Sequence, residues 1–149
     1  MKQKYIDLYM DWAARAAELS HARRLHVGAV IVKDDTVISY GYNGMPAGWD
    51  NNCENYVYNE NNEMSLKTKP EVLHAESNAI AKLAKSTNSG LGADLFVTHS
   101  PCMECSKLIF QSGIRRVFYA EDYRDDSGIQ FLKKSGVEVV KHNEESSQD

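Results

Sequence analysis

Residues 74–105 read HAESNAIAKLAKSTNSGLGADLFVTHSPCMEC and carry the clearest structural signals of the chain. The first part predicts a helix from near His74 to Lys85, because its apolar residues recur at helical spacing. Ala93–Thr98 is largely apolar and predicts a strand. Pro101 suits the first turn of a second helix, which we expect to end near Gly113. The stretch is therefore expected to fold as helix, strand, helix.

Three side chains in this stretch are typical zinc donors. Cys102 and Cys105 are three residues apart, so their thiols share one face of the second helix. Pro101 places the pair at a helix N-terminus, where the backbone dipole and free N–H groups favour thiolate. His74 adds a neutral imidazole from the start of the other helix. Two thiolates and one imidazole match Zn²⁺ by ligand softness, so we predict one zinc ion per chain.

Glu76 is the fourth polar residue of this pattern and need not be a ligand. On a regular helix Glu76 and His74 point about 200° apart, so they converge only on a metal that lies beyond the helix N-terminus. The pattern thus predicts two helix N-termini that point at one zinc ion. Three protein ligands leave one position for water, as in catalytic rather than structural zinc sites. Glu76 is then the candidate general base and acid.

Two other interpretations of the cysteines remain open from the residues alone. Cys53 could complete a Cys₃His structural zinc site with His74, Cys102 and Cys105. Alternatively, the C-x-x-C pair could be a redox pair, although its flanks do not resemble those of a thioredoxin-like motif. The structural interpretation leaves Pro101 and Glu76 without a role, so we favour the catalytic one.

Outside this unit, strands and helices alternate. Towards the N-terminus we expect a helix over 3–20, a strand over 27–32, a turn at Asp34-Asp35 and a strand over 36–40. Residues 41–70 are turn-rich and polar, and they are expected to form one long loop. Towards the C-terminus we expect a strand over 115–120, a helix over 125–134, a strand over 137–140 and a frayed tail over 142–149. This order indicates an α/β sheet with helices on its faces.

Length and composition are those of one globular domain over residues 1–149. The chain is 42% hydrophobic and 26% charged, with a net charge of −4 that argues against a nucleic-acid binder. It contains no apolar run long enough for a membrane span and begins without a signal-peptide pattern. Two of its three cysteines form the C-x-x-C pair, which fits a reducing compartment. We therefore expect a cytoplasmic protein.

Five segments carry a more specific signal: VGAVIV (27–32), GYNGMPAG (41–48), HAESNAI (74–80), SPCMEC (100–105) and YAEDYRD (119–125). In this order and spacing they resemble the deoxycytidylate (dCMP) deaminase family. H-x-E with P-C-x-x-C alone is the signature of zinc-dependent nucleobase deaminases in general. The additional G-Y-N-G-x-P points to the nucleotide branch. The resemblance implies a three-layer α/β/α cytidine-deaminase-like sandwich around a five-stranded mixed sheet, and conversion of dCMP to dUMP for thymidylate synthesis.

The resemblance also implies a role for each matching residue. His74, Cys102 and Cys105 would hold zinc, and Glu76 would transfer protons. The backbone near Ala75 and Ser100 would bind the base, Asn43 the deoxyribose 3′-hydroxyl, and Tyr123 and Arg124 the base and phosphate. A guanidinium matches a phosphate bidentately, which favours Arg124 for the phosphate. The simpler interpretations are that Asn43 is a turn residue and Arg124 a solvated surface charge.

Members of this family are commonly hexamers that dCTP activates and dTTP inhibits at a separate site. The resemblance makes Arg23, Arg24 and Gly44 candidate effector-binding residues, since adjacent arginines can hold a triphosphate. Arg23 and Arg24 could instead complement the dipole at a helix C-terminus. Some phage-type relatives hold a second, structural zinc ion. Here Cys53 stands alone in that region and residues 53–70 contain no histidine, so we predict a single zinc ion and a free Cys53 thiol.

Three rival functions share part of this evidence. A tRNA adenosine deaminase or another polynucleotide editor has the same zinc signature but needs a basic RNA-binding surface. A free-cytidine or guanine deaminase would have no use for a phosphate-binding Arg124. A catalytically inactive zinc-binding module would have no use for Glu76. We expect small nucleotides, not nucleic acid or membrane, to be the partners.

Overall fold

The computed structural model describes residues 1–143, which form four helices and seven strands. None of these helices is long and apolar enough to cross a bilayer. The helices are α1 (Gln3–Ala17), α2 (Ala75–Ala84), α3 (Met103–Gln111) and α4 (Ser127–Lys134). The strands are β1 (Gly28–Lys33), β2 (Thr36–Tyr42), β3 (Glu54–Tyr58), β4 (Met64–Thr68), β5 (Asp94–His99), β6 (Arg116–Glu121) and β7 (Glu138–Lys141).

Five of the strands form one mixed sheet in the order β2-β1-β5-β6-β7. Strand β1 runs antiparallel to both β2 and β5, whereas β5, β6 and β7 are parallel. Parallel neighbours need crossover connections, and α3 and α4 supply them. The predicted five-stranded mixed sheet is confirmed.

Both faces of the sheet are covered, because alternate residues of each central strand point to opposite sides. Ala29 and Ile31 of β1 join a core with α2, α3 and α4 on one face. Val30 and Val32 of the same strand pack against α1 on the other. Phe96 of β5 lies in this second core and stacks on Phe118, with the two ring centroids 4.7 Å apart. The fold is therefore the predicted three-layer α/β/α sandwich.

Residues 41–70 do not form the single long loop that the sequence predicts. Strands β3 and β4 pair antiparallel from Glu54 opposite Thr68 to Tyr58 opposite Met64, forming a separate hairpin. Its turn contains Asn62 with a φ of 60°, a conformation that asparagine tolerates. The prediction was wrong because both strands are short and, apart from Glu54, lie largely at the surface, within a segment whose overall composition is polar.

The two ends of the chain show smaller differences from the prediction. Helix α1 ends at Ala17, before the expected residue 20. His142 was expected to belong to a frayed tail, but its backbone N–H donates to the Tyr119 carbonyl at 2.7 Å and its ring contacts Asp7 at 2.8 Å. The rest of the predicted tail, residues 144–149, lies outside the described residues.

Candidate active site

His74 stands at the N-cap of α2 with extended backbone angles, φ −79° and ψ 153°. The residue before it, Leu73, exchanges two backbone hydrogen bonds with Gly44, 2.8 and 3.1 Å long. Gly44, the last residue of G-Y-N-G, lies two residues after the end of β2. It therefore holds the chain where it enters α2. Gly41 of β2 passes so close to α2 that a Cβ there would lie 2.4 Å from the Ala75 carbonyl oxygen.

Cys102 stands at the N-cap of α3, and its sulfur accepts a hydrogen bond from the Cys105 backbone N–H at 3.5 Å. Cys105 is buried in the first turn of the same helix. Behind the cysteines, α4 approaches closely at Gly128, where a Cβ would lie 2.3 Å from the Pro101 carbonyl oxygen. The first turn of α3 is thus held in place by its own cap and by α4.

The three predicted donors converge, as the sequence predicts, from two helix N-termini. His74 Nδ1 lies 3.2 Å from Cys105 Sγ and 3.6 Å from Cys102 Sγ. All three donor atoms lie within 4.8 Å of one another. Tetrahedral zinc, with bonds of about 2.0 Å to nitrogen and about 2.3 Å to sulfur, places such ligands about 3.5 Å apart. The donor set and its spacing therefore fit a zinc ion.

The charge state of the cysteines points the same way. Hydrogen bonds from Cys105 and His74 lower the pKa of Cys102 to about 4. The pKa of Cys105 is raised, because its thiol is hydrogen-bonded to the Cys102 sulfur and because it is buried. The protein groups alone therefore favour one thiolate. A divalent cation at this point would also favour the thiolate form of Cys105, since metal coordination deprotonates thiols.

Glu76 lies in the first turn of α2 and is only 4% exposed. Burial raises the pKa of its carboxyl group to about 7. A carboxyl group with a pKa near the working pH can both accept and donate a proton within one reaction cycle. Glu76 lies in the first turn of the helix that His74 caps, so the two side chains start next to each other.

A cavity of about 390 Å³ opens over this centre. It brings together seven residues that the sequence singled out: Arg24, Asn43, His74, Ala75, Glu76, Tyr123 and Arg124. A smaller hollow of about 60 Å³ beside it is lined by Ser100, Cys102, Glu76 and Tyr123. The predicted substrate residues therefore surround the predicted metal site, although they come from distant parts of the chain.

Asn43 has a structural role as well as a place in the cavity. Its Oδ1 accepts from the Val27 N–H at 2.9 Å, and its Nδ2 donates to the Leu25 carbonyl at 2.8 Å. The amide thus fixes the segment that leads into β1. Its predicted role in sugar binding stays a prediction.

Ser100 positions the segment that follows β6. Its N–H donates to the Glu121 carbonyl at 2.9 Å, and its hydroxyl accepts from the Tyr123 N–H at 2.7 Å. Tyr123 in turn lies under the Arg124 guanidinium, whose carbon is 5.7 Å from the ring centroid. Ser100, two residues before the candidate donor Cys102, is therefore directly connected to the segment that carries Tyr123 and Arg124.

The two adjacent arginines have different surroundings. The Arg23 guanidinium contacts Glu54, Asn52 and Tyr56. The Arg24 guanidinium lines the cavity, where its Nη1 donates to Thr68 Oγ1 at 3.1 Å. Neither arginine lies at a helix C-terminus, since α1 ends at Ala17, so that interpretation was wrong.

Cys53 does not join the metal centre. Its buried thiol donates to the Asn51 carbonyl at 3.4 Å, and burial raises its pKa. Within residues 1–143, His74, Cys102 and Cys105 are the one group of metal-ligating side chains close enough to share an ion. The Cys₃His alternative is therefore wrong.

The cavity also contains residues that the sequence did not single out, among them Glu54 of β3, Thr68 of β4 and His99 of β5. The two hairpin residues were missed with the hairpin itself. A usable signal was present, since ENYVY and MSLKT flank the turn-forming NENNE at residues 54–68. His99 directly precedes SPCMEC, and nothing in its spacing indicated that it would face the cavity.

One solved structure and two sequence relatives are similar to this chain. The solved dCMP deaminase of cyanophage S-TIM5, in complex with dCMP and dUMP, is 43% identical with a TM-score of 0.86, covering 95% of this chain and 99% of that one. ComE operon protein 2 of Bacillus subtilis is 41% identical over 117 residues, which are 78% of this chain and 59% of the relative. The deoxycytidylate deaminase of Saccharomyces cerevisiae is 35% identical over 143 residues, which are 93% of this chain and 45% of the relative.

The chain thus spans about half the length of these two sequence relatives. The family model for the cytidine and deoxycytidylate deaminase zinc-binding region matches residues 3–121, which include all three donors and Glu76. The chain belongs to the cytidine and deoxycytidylate deaminase family.

Proposed function

We propose that this protein is a zinc-dependent deaminase that converts dCMP to dUMP and ammonia. The observation that carries the proposal is the pair of arginines, Arg24 and Arg124, in the same cavity as the metal donors and Glu76. A cytosine at the metal centre and a phosphate at these guanidinium groups would occupy the two parts of one nucleotide.

The charge balance of the cavity supports an anionic ligand. Of its four acidic residues, Glu54 pairs with Arg23 at 3.3 Å, Asp122 pairs with Lys141 at 2.6 Å, and Glu121 contacts the His99 ring at 3.3 Å. The fourth, Glu76, is buried with a pKa raised to about 7. Within residues 1–143, no ion pair involves the guanidinium of Arg24 or of Arg124. Their positive charge is therefore available to a phosphate.

The chemistry follows from Glu76 and its neighbours. His74, Cys102 and Cys105 would hold zinc, which would act as a Lewis acid and make water a nucleophile at neutral pH. Glu76 accepts a proton from the attacking water and delivers it to N3 of the cytosine ring. It then takes the proton of the new C4 hydroxyl and transfers it to the amino group, so that ammonia leaves as the C4 carbonyl of uracil forms. The near-neutral pKa of Glu76 suits both directions of transfer.

The other cavity residues would hold the nucleotide. The backbone at Ala75 and Ser100 would bind the base, and the Asn43 amide the deoxyribose 3′-hydroxyl. Tyr123 would pack on the base, while Arg24 and Arg124 bind the phosphate. Arg24 therefore belongs with the substrate in this proposal, not with an effector. An RNA substrate is not favoured, because the chain carries a net charge of −4.

The test is the loss of cytosine absorbance by zinc-loaded protein with dCMP, deoxycytidine and dCTP. We expect kcat/KM to be highest for dCMP, and Arg124→Ala to lower it about 10- to 100-fold, because a charge-assisted phosphate contact is lost. If the wild type has equal kcat/KM for deoxycytidine and dCMP, and Arg124→Ala leaves kcat/KM unchanged, the result would favour a nucleoside deaminase. No turnover of any of the three would contradict the proposal.

We also propose that dCTP activates and dTTP inhibits the enzyme at a second cavity. This cavity of about 520 Å³ is lined by the G-Y-N-G turn, including Gly44, and by His21, Lys82 and Lys85. The basic side chains suit a triphosphate, and Gly44 is hydrogen-bonded to Leu73, directly before the zinc ligand His74. We expect Lys85→Ala to remove the response of the dCMP rate to both effectors. A full response in this variant would place the effectors elsewhere.

The protein is proposed to assemble as a homohexamer. Leu8, Trp12, Leu19 and Tyr40 are each 46–51% exposed, and three of them line an apolar groove between α1 and β2. Clustered apolar side chains of this kind are typical of subunit interfaces. Light scattering of the zinc-loaded protein should give six copies of the 16.8 kDa chain, and a monomer would contradict the proposal.

A further inference from the structure

Glu54 is a nearly fully buried carboxylate, 1% exposed, at the first position of β3. One of its oxygens accepts from the backbone N–H groups of Arg23 and Arg24, at 2.9 and 3.1 Å. The other accepts from the Arg23 side-chain Nε at 3.3 Å. A buried carboxylate of the hairpin thus fixes the backbone of the segment that carries both arginines.

These donors compensate the charge of Glu54 without using the Arg24 guanidinium. Burial acts to raise the pKa of Glu54, but the backbone donors and the Arg23 guanidinium together lower it. Arg23 also donates to Tyr56 of β3 and to Asn52 just before it, so all three of its side-chain nitrogens have partners in this region. Arg23 neutralises the carboxylate, and Arg24 keeps its own charge.

The second contact to Arg24 comes from the residue directly opposite Glu54. Thr68 pairs with Glu54 in the β3–β4 ladder, and its hydroxyl accepts from Arg24 Nη1 at 3.1 Å. One cross-strand pair therefore holds Arg24 at both ends, the backbone through Glu54 and the guanidinium through Thr68. Glu54, Thr68 and Arg24 all line the cavity over the metal donors.

We propose that the Glu54–Thr68 pair is a positioning device, which holds Arg24 towards the substrate phosphate and makes the hairpin a specificity element for nucleotides over nucleosides. The inference rests on the proposed function. An exposed arginine side chain is flexible, and holding it in one geometry lowers the entropy it loses on binding an anion. Glu54 and Thr68 touch no reacting atom in this proposal.

The experiment measures kcat and KM for dCMP and deoxycytidine in the full chain with zinc. The variants are Glu54→Gln, which removes the charge, and Thr68→Val, which removes the hydroxyl at similar volume. We expect the ratio of kcat/KM for dCMP over deoxycytidine to fall about tenfold in Glu54→Gln and about threefold in Thr68→Val, mainly through KM for dCMP. Thr68→Val also keeps the test valid if Glu54→Gln does not fold.

Two controls separate positioning from general stability. Ser65→Ala removes a hydroxyl contact inside the same hairpin, to the Val57 carbonyl, and should leave the ratio unchanged. In an Arg24→Ala background, neither variant should lower the ratio further, because the residue they position is absent. A purely structural role would instead lower the rates for both substrates equally.

The outcomes distinguish the two proposals. If the wild type shows no preference for dCMP, the proposed function fails before the variants are compared. If the wild type prefers dCMP and Arg24→Ala reduces that preference, but Glu54→Gln and Thr68→Val do not, the positioning role is overturned and the proposed function stands.

Discussion

At the scale of single residues, Glu76 shows how environment sets chemistry. Its carboxyl group is 4% exposed, and burial raises its pKa to about 7. Glu104, two residues beyond Cys102 as Glu76 is two beyond His74, is exposed and pairs with Lys107 instead. The same spacing to a candidate metal donor therefore leaves one glutamate buried with a near-neutral pKa and the other an exposed surface charge.

Glu76→Gln should abolish proton transfer while leaving the metal site intact. Glutamine has the same shape but cannot accept the proton, so kcat for dCMP should fall by about 10² to 10⁴. Zinc content, measured by metal analysis of the purified variant, should equal that of the wild type, because Glu76 is not among the converging donors. Loss of zinc from this variant would make Glu76 a ligand and contradict the mechanism.

Glu54 links stability to pH. Its pKa is lowered from 4.5 in the folded protein, so its stabilising effect is present above pH 4.5 and disappears as the pH falls through the lower folded value. Wild type should therefore exceed Glu54→Gln in the free energy of unfolding at pH 7, and the difference should shrink below pH 4.5. Urea unfolding at several pH values measures it, and a constant difference would contradict the ionised contact.

At the scale of elements, α2, which begins next to the candidate donor His74, packs very closely against β2. A Cβ at Gly41 would lie 2.4 Å from the Ala75 carbonyl oxygen and 2.7 Å from the Ala79 nitrogen. Backbone atoms cannot move aside as a flexible side chain can. Glycine at this position therefore sets the position of the helix that carries both His74 and Glu76.

Gly41→Ala should push α2 away from β2. We expect a loss of about 1–3 kcal/mol in the free energy of unfolding, as for other overpacked contacts, together with weaker zinc binding. Gly44→Ala is the matched control, because a Cβ there meets no atom within 4 Å. Urea unfolding and competition with a zinc indicator measure both quantities. Equal zinc affinity in the two variants would show that α2 does not need this close contact.

At the scale of the whole molecule, the candidate metal donors lie at the edge of the hydrophobic core. The two core clusters cover opposite faces of the sheet, and neither includes His74, Cys102 or Cys105. The donors lie instead at the N-termini of α2 and α3. The fold should therefore not require the ion, in contrast to small zinc domains that unfold without it.

Removal of zinc by a chelator should abolish deamination and leave most of the far-ultraviolet circular dichroism signal. Added Zn²⁺ should restore activity without a refolding step. Parallel measurement of the spectrum and of dCMP turnover tests this. Loss of the helical signal together with activity would make the ion part of the folding energy.

Sequence and tertiary structure contributed different parts of this description. The metal donors, Glu76, the helix starts at His74 and Cys102 and the α/β layers were predictable, because capping, periodicity and ligand chemistry are local properties. The separate roles of Arg23 and Arg24 were not predictable, since adjacent identical residues have the same local signal. Only the cross-strand pair of Glu54 and Thr68, distant from them in the chain, distinguishes the two: one arginine neutralises a buried carboxylate, and the other keeps its charge for the cavity.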